Sequence, residues 1–425
     1  MIPVAEMPRT SRQRLSSLLL AVIAAGGCRS FGPSALTQTR LPYNEAIKVT
    51  TEQQLLLNIV RLRNADTPSS LAVSNIAAQF EFVRGLQLTP FFTSAGGDVN
   101  RSFTAVLPQA GVSGADRPTF SLTPLDDQEF TRKLFTPLSL DGVLYLAKTT
   151  WPISTVFRLY LENLNWVSNA QSASGPTPKD PPVYADFRKA IDSLQVLQDR
   201  GQIVFGLDER EETVGGPVPA SSVTGADVLE AAKSGLEYRP DSAHAAWTLV
   251  RKVQQPVLRI DPGAVDSPEV HEVERICKLK PGVTQYDVTV DALSPFPATY
   301  PEGGVTKVDL ETRSLLQAMY YVAQGVEVPP EHLTQGLVTV TRDGQGRSFD
   351  WQDVTKGLFR VRFAKESDPP TRAHVAIQHK GYWFYIDETD LDTKTTFSLL
   401  MELARMELSA KGGSEPLLTI PLGGR

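Results

Sequence analysis

Residues 373–409 read AHVAIQHKGYWFYIDETDLDTKTTFSLLMELARMELS, and the change of periodicity along them decides the fold class. The first part predicts two short strands, 373–379 and 381–386, close enough in sequence to pair as a hairpin. From Thr393 to Ser409 the pattern becomes helical. Phe397, Leu400, Met401, Ala404 and Leu408 share one face, Leu399, Leu403 and Met406 widen it, and Glu402, Arg405 and Ser409 lie opposite. Such a helix packs on a sheet. The run Gly381–Ile386 is apolar at both parities, which predicts burial between layers. A stacking surface for sugar rings or a partner is the alternative reading.

Outward from there, the same mixture recurs without regular order. Strands are expected near 337–341 and 357–364. A helix is expected from Leu310 to Gln324, with Asp309 as N-cap and Gly325 as its stop. Earlier helices are predicted at 183–199, 225–234 and 267–278, and strands at 203–207, 246–260 and 284–291, with a polar loop over 208–224. Residues 126–135, 138–148 and 153–166 read as three short helices. A helix beginning at Tyr43 has Thr51 and Gln54 as a capping box. Residues 71–76, 79–83 and 120–122 read as strands, and the Gly/Ser/Ala-rich 93–117 as a hairpin loop or excursion. No internal repeat is visible. The fold class is α+β: mixed helices and short, mostly antiparallel strands. SNAQSASGPTPKDPP (168–182) reads as a linker or long loop between an N-terminal α+β region (43–167) and a C-terminal one (183–425).

Composition narrows the functional classes. The chain has 425 residues, 41% of them hydrophobic, with a formal charge of -6. An acidic balance argues against broad nucleic-acid binding. Two cysteines and five histidines leave little room for a zinc or iron–sulfur centre. No apolar run reaches the ~18 residues of a membrane-spanning helix.

The N-terminus reads as an address. Arg9, Arg12 and Arg14 precede the apolar run Leu15–Ala25, and small residues lead to Cys28. This three-part pattern predicts a signal peptide over 1–27. Ala25-Gly26-Gly27-Cys28 resembles a bacterial lipobox, which implies lipidation of Cys28, a tether over 28–42, and an outer-membrane, periplasm-facing location. Several acyl chains at ~0.8 kcal/mol per buried CH₂ hold a protein durably on a leaflet. Removing residues 1–27, with three arginines and one glutamate, takes the charge from -6 to -8. Acylated Cys28 leaves Cys277 without an intramolecular partner.

Catalytic signatures are incomplete. His271-Glu272-Val273-Glu274-Arg275 has Arg where the metalloprotease motif needs its second His. His374 and His379 fall on opposite faces of a strand by their odd spacing. Gly111-Val112-Ser113-Gly114 lacks the nucleophile-elbow spacing, and Gly344-Gln345-Gly346 reads as part of a turn. Asp387, Asp390 and Asp392 are the weak metal candidates, since hard carboxylates suit Ca²⁺. Capping of the following helix accounts for them better. No catalytic or cofactor-binding residue is assigned.

Four stretches carry a resemblance: TTEQQLLLNIVRLRNADTP (50–68), PTFSLTPLDDQEFTRKLFTPL (118–138), TRSLLQAMYYVAQGVEVPPEHLTQGLV (312–338) and GYWFYIDETDLDTKTTFSLLM (381–401). Together they resemble a family of uncharacterised bacterial lipoproteins of the cell envelope. That resemblance implies no activity and carries over no functional residue. The expected function is non-catalytic binding or scaffolding by a lipid-anchored protein. Its partners would be the membrane, through the lipid, and an envelope protein or glycan, with no nucleic acid and no cofactor. The alternatives are an accessory subunit of an export or assembly machine, and a carboxylate-based hydrolase of envelope glycans.

Overall fold

The computed structural model describes residues 31–93, 103–124, 128–176 and 178–408. The fold is α+β. The chain divides into two units, residues 1–51 with 71–124, and residues 52–70 with 125–425. The predicted signal peptide and Cys28 lie outside the described residues.

Helix α1 (Phe31–Arg63) crosses the boundary between the units. It begins well before the expected start at Tyr43 and includes residues 31–42, expected as tether. Pro42 lies inside it, at the cost of one backbone hydrogen bond. Thr51 is therefore no N-cap. Its hydroxyl donates to the Ile47 carbonyl one turn back (2.7 Å). The last turns bury Leu55, Leu56, Ile59, Val60 and Leu62 in the second unit.

The other described residues of the first unit form a two-stranded ribbon. β1 (Leu71–Thr93) and β2 (Phe103–Pro124) pair antiparallel over their whole length, 23 and 22 residues, with one bulge between Val73 and Asn75. The short strands and the loop expected over 71–122 are thus one hairpin. Its glycines interrupt the hydrophobic signal without interrupting the ladder.

The second unit opens with α2 (Gln128–Phe135), α3 (Leu140–Lys148) and α4 (Ile153–Tyr160). The third helix ends six residues earlier than predicted, and the chain turns into β3 (Leu161–Leu164). Asn165 and Trp166 follow with φ of 47° and 60°, the left-handed pair of a two-residue hairpin, leading to β4 (Val167–Ser168). Residues 168–182 lie within this unit, where Ala170 and Ala173 are fully buried.

Next come α5 (Ala185–Asp199), β5 (Ile203–Pro219), α6 (Gly225–Lys233), β6 (Leu236–Pro240), β7 (Ala246–Ile260), α7 (Pro268–Cys277), β8 (Gln285–Thr289) and β9 (Lys307–Thr312). The loop expected over 208–224 is mostly the outer half of β5, because cross-strand ion pairs hold it against β7. The sheet order is β4-β3-β9-β8-β7-β5, with β6 on the outer part of β7. β8 and β9 are parallel; the other pairs are antiparallel.

The predicted helix 310–324 is split. Leu310–Thr312 belong to β9, and α8 (Leu315–Ala323) starts after Ser314, which forms a capping box with Gln317. Asp309 caps nothing. It is buried in β9, where its carboxylate accepts hydrogen bonds from Thr289 Oγ1 and the amides of Ala292 and Leu293. Gly325 has a packing reason: a Cβ there would stand 2.4 Å from the Phe359 carbonyl oxygen. α9 (Pro330–Thr334) and α10 (Gln352–Thr355) are short. Residues 337–341 form no strand. Their backbone runs against 178–179 instead, where Thr341 Oγ1 donates to the Pro178 carbonyl (2.7 Å).

β10 (Arg362–Ala364), β11 (Ala373–His379) and β12 (Tyr382–Asp387) form a second sheet, ordered β10-β12-β11, and α11 (Leu391–Leu408) ends the described chain. Tyr382, Phe384 and Ile386 are buried while Trp383 and Tyr385 are half-buried, so one face of β12 joins the core. Burying a core side chain of this size contributes ~1.5–3 kcal/mol.

A polar knot locks the first sheet to α4. Arg313 is fully buried, donating to Ser174 Oγ (2.8 Å) and to the carbonyls of Arg158, Leu159 and Asn169, and it lies 4.0 Å from the Tyr321 ring centroid. Burial pulls its pKa down to about 10, so it stays charged at neutral pH. Carbonyl dipoles and a ring face replace the water it has lost.

Candidate functional site

The ribbon is the first candidate, as an interaction surface. It is a two-stranded sheet of its own, with no third strand among the described residues. Neither outer edge therefore has a strand paired to it among the described residues, the arrangement in which another chain can add a strand. The register sorts its sequence into two sets of positions. One set pairs Ile76 with Phe120, Ala78 with Pro118, Phe82 with Gly114, Leu86 with Ala110, Leu88 with Pro108 and Pro90 with Val106. The other pairs Asn75 with Ser121, Gln79 with Arg117, Gly85 with Gly111 and Gln87 with Gln109. Successive strand positions alternate between faces. The first set is mostly apolar but also holds Arg84 opposite Val112 and Asp116 opposite Phe80, and the second is mixed, with Glu81 and Arg117 beside Val83, Phe91 and Leu107. The bulge at Ser74 keeps Leu71 and Val73 in the first set by skipping one residue.

In the second unit, two of the five histidines meet where the end of α1 reaches the sheet of β10, β11 and β12. His332, on α9, is buried, its Nε2 is 3.3 Å from the Lys380 carbonyl oxygen and its Nδ1 has no partner. Its ring stands edge-on to Tyr382, with centroids 5.2 Å apart. His379 Nε2 lies 3.6 Å from Asp66, which also takes an ion pair from Lys380 Nζ at 3.1 Å. Burial, with the Lys380 charge beside it, lowers the His379 pKa below its usual 6.5. Glu331 and Lys365 pair at 3.0 Å next to Tyr382. Neither imidazole bonds a serine or cysteine among the described residues. The arrangement can take up and release a proton, and it lacks the nucleophile–base contact of covalent catalysis.

The second unit also has two clefts. One, about 590 Å³, is lined by Trp166, Ser168, Lys179, Asp180, Pro182 and Phe187. The other, about 540 Å³, is lined by His271, Glu274, Lys278, Tyr300 and Gly304. Glu274 is buried there and accepts a hydrogen bond from the Gly282 amide, while the enclosed Tyr300 hydroxyl has no partner. Glu272, the acid of the failed HExxH pattern, is bound by Arg275 one turn on. Burial pushes the Cys277 thiol up to about 12, so it stays protonated.

The acidic candidates do not converge. Asp387 accepts from the Thr389 amide and hydroxyl (3.0 and 2.6 Å). Asp390 accepts from the Thr393 amide and hydroxyl (3.1 and 2.8 Å), and Asp392 sits in the first turn of α11. Among the described residues, no group of three or more His, Cys, Asp or Glu side chains is placed to hold a metal ion. His374 sits at a bulge of β11 and pairs with Glu388 (3.1 Å), apart from His379. That His332 and His379 both lie beside the Phe384 ring has no sequence signal, because the two lie on different elements. Among the described residues, no helix is long and apolar enough to cross a membrane.

No family model, no curated protein and no solved structure matches this chain.

Proposed function

We propose that this chain is a lipid-anchored envelope protein, facing the periplasm from the outer membrane, that binds and organises partners without turning over a substrate. The observation that carries the reading is the ribbon of β1 and β2. Its edges have no strand beside them among the described residues, and its 85–93 and 103–111 segments pair without a charged residue. A surface of that kind is an attachment device. The lipobox-like Cys28 supplies the address, and the resemblance to envelope lipoproteins agrees with it. The test is intact mass and cell fractionation of the native protein beside Cys28→Ala. Acyl mass on a chain starting at Cys28, outer-membrane fractionation, and loss of both in the variant are expected. A native chain that is soluble and cut elsewhere would remove the anchor. Turnover of an envelope glycan, abolished by one carboxylate substitution, would replace the binding role with the hydrolase alternative.

A further inference from the structure

We propose that the ribbon of β1 and β2 pairs edge to edge with the ribbons of further copies of this chain, closing a multi-chain β-barrel that crosses a bilayer. The inference rests on the envelope reading above and names the ribbon's partner.

The edges come first. A two-stranded ribbon about 75 Å long, at ~3.3 Å per residue, is at best marginal on its own in water. Placing β1 of one copy beside β2 of the next continues the antiparallel order, and the two edges match in length because the copies are identical. A ring of such contacts leaves no edge, which is the condition for a sheet to exist in lipid.

Next is the medium. Residues 85–93 and 103–111 are paired and contain no charged residue: GLQLTPFFT on β1 and FTAVLPQAG on β2. That is nine positions per strand, within the ~9–11 residues a tilted strand needs to span the hydrocarbon core. Arg84 bounds the stretch on one side. Within this stretch one parity holds Leu86, Leu88, Pro90, Phe92, Val106 and Pro108, as a lipid-facing exterior selects, while Gln87, Thr89, Thr93 and Gln109 lie at the other together with Phe91, Phe103 and Leu107.

The charges supply a register. Glu81 and Arg117 are the only charged residues in the ribbon's second set. Within one ribbon Glu81 stands opposite Ala115, and Arg117 opposite Gln79. Sliding the neighbouring copy by two residues sets Glu81 of one copy opposite Arg117 of the next. A two-residue stagger per two strands tilts them by about 35°, in the range of closed barrels. Pro90, Pro108 and Pro118 each leave one rung without a donor, and the remaining rungs join the copies.

The test uses the full-length lipidated protein. Gln79→Cys and Thr119→Cys are made as two separate variants with different tags and co-expressed. The same two-residue slide puts position 79 of one copy opposite 119 of the next. Mild oxidation should give a disulfide joining the two tags. The purified oligomer should release an entrapped dye from phosphatidylethanolamine/phosphatidylglycerol vesicles, and Leu88→Asp should slow that release at least tenfold. All five tryptophans lie in the second unit, so unchanged tryptophan fluorescence shows that Leu88→Asp leaves that unit folded. Crosslinking without dye release would overturn the bilayer crossing. A monomer in detergent at micromolar concentration, with no mixed disulfide, would overturn the ring. If that monomer still carries acyl mass and fractionates with the outer membrane, the anchored-binder reading stands while the barrel falls. A soluble, unacylated chain would sink the reading itself.

Discussion

The chain contains two long antiparallel strand pairs, and they meet their surroundings in different ways. The outer part of β5 with β6 and β7 is exposed and covered by cross-strand ion pairs. Arg251 binds Glu212 at 2.7 Å, Lys252 binds Glu209 at 3.1 Å, Arg239 binds Glu211 at 2.6 Å, and Arg259 pairs with Asp208. That arm keeps most of outer β5 in water, while Val250 of β7 is buried. The ribbon of β1 and β2 is longer, yet Glu81, Arg84, Asp116 and Arg117 are its only charged residues. One chain thus holds a water-borne solution to a long strand pair and declines to use it in the ribbon. The difference teaches that the ribbon's 85–93 and 103–111 segments lack the ion-pair cover that keeps the other pair in water, as the proposed contact between copies requires.

The sharpest way to break this contrast is to give the ribbon the charges of the other pair. Leu86→Asp with Leu88→Asp should abolish detergent-stable oligomers seen by light scattering while leaving the thermal midpoint of the second unit within about 1 °C. An oligomer that survives would show that these uncharged segments are not what needs covering. A core control comes next in size. Arg313→Met should destabilise the second unit by roughly 3 kcal/mol or more in urea titration, because the Leu159 and Asn169 carbonyls lose a buried donor. It should leave oligomer formation unchanged.

A smaller effect is expected in the water-borne pair. Arg210 Nη2 holds Asp287 Oδ1 at 2.5 Å in a largely exposed position. Arg210→Met should cost up to about 1 kcal/mol, and less at high salt, because exposed pairs are weak and screened. A loss several times larger would mean that the ladder holds the fold and does more than keep the arm wet.

The smallest effect is a slope with pH. The folded protein resists protonating His379, whereas the unfolded chain protonates it near its usual 6.5. The unfolded state therefore binds the extra proton first as pH falls. Stability should be full above about pH 6.5 and decline below it. His379→Gln should flatten that slope in melts between pH 5 and 8. An unchanged slope would assign the acid sensitivity to other groups.

Elements whose pattern is purely local were legible in the sequence. The period-2 and period-3.6 stretches of 373–409 predict β11, β12 and α11, because strand and helix pitch are backbone properties that side-chain patterning reports directly. Errors arose where long-range contacts overrule local signals. Asp309 looks like a cap, yet a strand needs its carboxylate to hold the 289–293 turn. Residues 208–224 look like a loop because their ion-pair partners lie some forty residues on.

The sequence by itself determined the α+β class and the failure of the HExxH pattern. Tertiary structure alone decided that β1 and β2 form one ribbon, that His332 and His379 flank Phe384, and that Arg313 is buried among carbonyl oxygens. The physical reason is the range of the forces involved. Periodicity and charge order are set along the chain. Edges left open and polar groups desolvated together depend on which distant segments fold against each other.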